Sequence, residues 1–165
     1  MTERAAHLAD AVFRHAPVRQ WVLTVPYRLR YLLAWDHHLC RAVLRVYVPV
    51  LLGFVRRRAR RVGIPDGRGG AVTAIQRAGS ALNLNVHFHT LALDGVVAAA
   101  ADGTARFHPV APPTDAEVGH LLATIRTRIL RLLAHRGLDP GDPTAASPDP
   151  LVQESLALAG ISSGE

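Results

Sequence analysis

The stretch Ala71–Leu93, AVTAIQRAGSALNLNVHFHTLAL, decides how this chain is read. Two runs within it, Ala71–Arg77 (AVTAIQR) and Asn85–Leu93 (NVHFHTLAL), are rich in β-branched and apolar residues and predict two strands. Alternate residues of a strand point to one face, so His87 and His89 of the second run are expected to hold two imidazoles side by side. An H-x-H in a chain with nine histidines is often only one buried ring and one exposed ring. Here the flanking residues Val86, Phe88, Leu91 and Leu93 offer few hydrogen-bond partners, and a shared cation would satisfy both rings. Gln76, on the preceding run, is the preferred third ligand, and Asn83 and Asn85 add amides along the approach.

Outward from this core, Gln20–Val25 (QWVLTV) reads as another strand, ended by Pro26. Leu32, Trp35, Leu39, Val43, Val46, Val50 and Phe54 then recur at steps of three and four, predicting one long amphipathic helix to about Arg61 with a kink at Pro49. Trp21, Trp35 and Phe54 fall at positions expected to be core. The glycine-rich loop from Gly63 to Gly70 stops the helix. Val96–Ala100 and Thr104–His108 predict a hairpin around Asp102-Gly103, and Thr114 caps a last helix that Gly137 closes. The order predicts an α+β layer, helices covering a mainly antiparallel sheet. Residues 1–19 read as a lead-in, 20–137 as the core, and the Pro-, Gly- and Asp-rich 138–165 as an extended or disordered tail.

The 165 residues include no lysine, so all 19 basic side chains are arginine. Through Arg77 there are 14 arginines against 4 acids, net +10; beyond it 5 stand against 9, net −4, restoring the overall +6. A basic half suits a polyanion, although an arginine-only composition also arises from biased coding. The cluster Arg56, Arg57, Arg58, Arg60 and Arg61 ends the long helix, where the macrodipole favours cations; with Arg77 it forms the candidate phosphate-binding set. A single cysteine, Cys40, excludes an internal disulfide and a Cys-based zinc finger, and a cytoplasmic setting is expected. No membrane association is expected either, because charges cut Leu29–Val55 down to an uncharged run at Val46–Val55, half of the roughly 20 residues a span needs. A phosphodiesterase with paired H-x-[ST] motifs is excluded, since the sequence has none.

The run Ala71–Gly95, together with RQWVLTVPYRLRYLLAWD (Arg19–Asp36) and PPTDAEV (Pro112–Val118), resembles the rolling-circle, two-tyrosine transposases of bacterial insertion sequences, members of the HUH endonuclease superfamily. The similarity covers about Thr2 to Ile161, with Gln-Arg, Gly-Ser and Leu-Asn-Leu-Asn preceding the histidines in register. It implies a ferredoxin-like or RRM-like antiparallel sheet, single-stranded DNA as partner, and Mg²⁺ or Mn²⁺ held by His87 and His89, with Gln76 less firmly assigned. No small-molecule cofactor is implied, and full-length transposase is a candidate partner.

In that family a tyrosine after the histidine motif attacks the phosphate, whereas Tyr27, Tyr31 and Tyr47 all precede it here. Tyr27 and Tyr31 have the i, i+4 spacing of a nucleophile pair, yet packing is the ordinary role of rings just after a strand. The resemblance therefore implies a truncated member, with a nicking and strand-transfer domain that lacks its nucleophile. The other reading is a non-catalytic DNA-binding remnant in which the histidine pair is vestigial.

Overall fold

A computed structural model of the chain describes residues 16–78 and 84–138, and the backbone of 161–164. Strand β1 (Val18–Thr24) alternates as expected of a half-covered strand: Trp21 and Leu23 are buried, and Val25 continues the buried row beyond its end. Pro26 then starts helix α1 (Tyr27–Trp35), and the long helix α2 (His37–Arg61) follows after Asp36.

The single helix expected here is thus two. Asp36 adopts an extended backbone and its carboxylate accepts from the His38 and Leu39 amides at 2.8 Å each, so it caps α2 and breaks the run. Trp35, expected in the core, is 77% exposed, because the break turns it out of the buried stripe that Leu39, Val43, Tyr47, Val50 and Leu51 continue. Helix α2 runs unbroken through Pro49, which lies on its exposed side. By length and composition α2 would suffice to cross a membrane, which the count of uncharged residues did not anticipate; 44% of its most apolar window is buried within the domain.

Strands β2 (Ala71–Ala78) and β3 (Leu84–Leu93) pair antiparallel, and β3 pairs antiparallel with β1 on its other side. Ile161–Gly164 adds as β6 along the far edge of β1. The order β2-β3-β1-β6, with every neighbour antiparallel, is the split βαββαβ arrangement of ferredoxin-like sheets. This bears out the α+β expectation, and within the segment expected to be an extended or disordered tail 161–164 pairs as an edge strand. A short segment with little apolar content cannot form a strand alone, but here it only extends an existing edge. The rest of the expected tail, 139–160, lies outside the described residues, as does most of the lead-in.

A separate hairpin, β4 (Gly95–Ala99) and β5 (Ala105–Pro109), is inserted before the last helix α3 (Asp115–His135). Gly95 cannot be replaced freely, since a Cβ there would lie 2.2 Å from the His108 carbonyl oxygen. In the hairpin turn Gly103 takes φ +78°, while Asp102 accepts from the Thr104 amide and hydroxyl at 2.9 and 2.6 Å. Thr114 and Glu117 close a capping box on α3, which buries Leu121, Ile125, Ile129 and Leu133 at helical spacing against α2. The core lies between the helices and the sheet face bearing Trp21, Leu23, Val86, Phe88, Thr90 and Ala92, with Trp21 meeting Phe54 edge to face at 6.2 Å.

Candidate functional site on the face of strand β3

The helices cover one face of the sheet, and the histidine pair stands on the other. Val86, Phe88 and Thr90 turn into the core, so strand alternation sends Asn85, His87 and His89 the opposite way. The two rings lie side by side, centroids 4.7 Å apart and inclined at 63°. A cation about 2.1 Å from a nitrogen of each ring would sit roughly 3.3 Å from each ring centre, so ligands at about 90° would put the centres about 4.6 Å apart. The observed spacing fits two ligands of one ion.

Backbone and neighbours hold the pair in place. His87, 8% exposed, donates Nδ1–H to the Asn85 carbonyl at 2.6 Å, so that Nε2 is the nitrogen not engaged by the backbone. The side-chain amide nitrogen of Gln20, diagonal to His89 on β1, donates to His89 Nδ1 at 2.8 Å, which puts the proton of the neutral ring on Nε2; turning the amide over would present Oε1 to an Nδ1–H and free Nε2. Burial, then the neighbouring His87, lowers the His89 pKa and favours its neutral form. Gln76 pairs directly with His87 across the β2–β3 ladder and shares its face; its amide donates to the Ala78 carbonyl at 3.1 Å. Asn85 Oδ1, on the face of β3 that bears His87, is buried without a hydrogen-bond partner among the described residues. Among the described residues no group of three or more His, Cys, Asp or Glu comes together, so amide oxygens from Asn85 and Gln76 are the nearby complement to the two imidazoles.

The candidate cations are placed elsewhere. Arg77 follows Gln76 and therefore points to the helix face, donating to the Ala34 carbonyl at 3.1 Å and meeting His37 Nδ1 at 2.7 Å. Arg58 is built into the fold: it pairs with Glu117, donates to the Ala111 and Pro112 carbonyls at 2.9 and 3.1 Å, and covers the Phe54 ring. Arg61 approaches Glu117 at 3.5 Å while remaining 73% exposed, and Arg60 donates to the Pro65 carbonyl at 3.3 Å. Arg56 and Arg57 are exposed. Nineteen helical residues, about 28 Å of rise, separate Arg56 from His37, so the cluster and Arg77 lie at opposite ends of α2.

Of the tyrosines, Tyr47 is wholly buried under the sheet near Thr90, on the opposite face from His89. Tyr27 is partly exposed at the start of α1 and Tyr31 half-buried one turn on. Sequence reasoning missed Gln20, whose role depends on a diagonal pairing 69 residues away, and ranked Asn85 below Gln76 because spacing alone does not reveal an unpartnered oxygen.

Residues 70–152, from the start of β2 through the histidine strand and α3, match the model of the Y2_Tnp family, described as "Putative transposase". That span is half of the chain. The chain belongs to this transposase family. No match to it was found among curated proteins or among solved structures. The family match contains His87, His89, Gln76 and Asn85, whereas β1, α1 and α2, including the arginine cluster, precede it.

Proposed function

We propose that this transposase-family chain is a HUH-type domain for nicking and strand transfer of single-stranded DNA, built to hold a divalent cation between His87 and His89. The observation that carries the reading is the pair of neighbouring imidazoles on one face of an interior strand, with His87 Nε2 left free by the Asn85 carbonyl. Asn85 and Gln76 would add oxygen ligands, a mixed set that suits Mn²⁺ better than the strictly oxygen-preferring Mg²⁺. A cation bound there would polarise a scissile phosphate and offset charge on the transferring phosphoryl group. Gln20, with its amide turned so that Oε1 accepts from Nδ1–H, would fix His89 with Nε2 toward the cation, and exposed arginines, Arg56, Arg57, Arg60 and Arg61, would hold the DNA backbone.

None of the three tyrosines follows the histidines, and the burial of Tyr47 on the opposite face removes it as a nucleophile. The chain alone is therefore expected to bind metal and DNA without cutting. Calorimetric titration with Mn²⁺ should show binding that His87→Ala/His89→Ala abolishes; equal heats from both proteins would sink the metal site and leave a DNA-binding remnant. Labelled single-stranded DNA incubated with metal should yield no covalent adduct. An adduct lost in Tyr27→Phe or Tyr31→Phe would instead make those residues nucleophiles.

A further inference from the structure

Tyr27, Tyr31 and Trp35 recur at every fourth residue of α1, so they form one stripe whose successive positions rise by about 6 Å. Trp35, at 77% exposure, is the most exposed large hydrophobic side chain among the described residues, although a tryptophan gains more from burial than almost any other residue. With Tyr31, His37, His38 and Arg41 it lines a cleft that is open along its length rather than enclosed.

The cleft is flanked by cations. Arg41 and Arg45 are exposed one turn apart on α2, Arg77 is anchored at the end of α1, and Arg136 is close enough to act electrostatically on Asp36. Asp36, the one acid in the cleft lining, already has its carboxylate engaged by the first amides of α2. Aromatic faces bordered by fixed positive charge complement a single strand, whose bases are free to stack and whose phosphates are evenly spaced. A two-fold contact with a second copy would set Arg41, Arg45 and Arg77 against like charges. A duplex would not present its base faces.

We infer that Tyr31 and Trp35 are a base-stacking platform for single-stranded DNA, with Arg41 and Arg45 contacting its phosphates. The inference rests on the proposed single-stranded DNA substrate but not on the metal site. Arg77 follows Gln76, the ladder partner of His87, so the platform is at the His87 end of the sheet, on the face away from the histidines.

The test is titration of the full chain with oligo-dT in metal-free buffer, following tryptophan fluorescence and anisotropy of a labelled oligonucleotide. Binding should quench the exposed Trp35. Trp35→Leu should lose the quench and weaken binding about 10-fold, with Trp35→Phe in between, and circular dichroism should be unchanged. Arg41→Ala/Arg45→Ala should reduce the slope of log K against log salt by about 1.4. Unchanged affinity in Trp35→Leu, or equal binding of a duplex of the same length, overturns the platform while leaving the metal-site reading intact. Loss of Mn²⁺ binding with oligo-dT binding retained would do the reverse. Trp35→Leu converting an oligomer to a monomer, or removing adsorption to anionic vesicles, without affecting oligo-dT would assign the stripe to a protein or lipid contact and overturn the inference.

Discussion

At the scale of single residues, burial assigns opposite roles to chemically similar groups. Tyr47 is wholly enclosed, and that enclosure pushes its pKa up to about 12, the nearby Thr90 only partly offsetting it. A phenol raised above its unfolded value of about 10 stabilises the fold below pH 10, and that contribution is lost as pH rises toward 12, by about 2.7 kcal/mol for two units. Denaturant midpoints of the native chain should therefore fall between pH 9 and 11, and those of Tyr47→Phe should fall less. The two site histidines show the same dependence on surroundings: their side-by-side placement was legible from strand alternation, but the tautomer of His87 depends on a carbonyl that only the folded backbone supplies.

Among the elements, helix ends and tight turns carry much of the specificity. The capping box of α3 was readable as Thr-Asp-Ala-Glu, and Thr114→Ala should cost about 1 kcal/mol in chemical denaturation. The Glu117 carboxyl is held below its ordinary pKa first by the Thr114 amide and then by Arg58. Its contribution is thus present above the unfolded value of about 4.3 and disappears as pH falls through the lowered native value, so Glu117→Gln should flatten the acid limb of the stability profile. Gly95→Ala should destabilise by about 1–3 kcal/mol, since the Cβ meets backbone of β5 that cannot move aside. What pattern reading misplaced was the junction at Asp36: the apolar period continues across it, and only the competition between a side-chain cap and the helix ladder turns one helix into two.

Across the whole molecule, the basic half divides into parts with different duties. Arg58 joins the end of α2 to the start of α3, so Arg58→Ala should lower the melting temperature. Arg56→Ala/Arg57→Ala should leave the melting temperature unchanged and reduce the salt slope of single-stranded DNA binding by about 1.4 if both side chains contact phosphate. The charge count could not separate these cases, because it registers sign and not neighbours.

Strand and helix periods are local properties of the chain, and they suffice for the α+β class, the strand that carries the histidines and their common face. That Arg58 is bound to the fold, that Arg77 and the histidines occupy opposite faces, and that Gln20 reaches His89 emerges only in the folded chain. Each of these depends on contacts between residues distant in the chain, whose pairing follows from packing and register rather than from spacing.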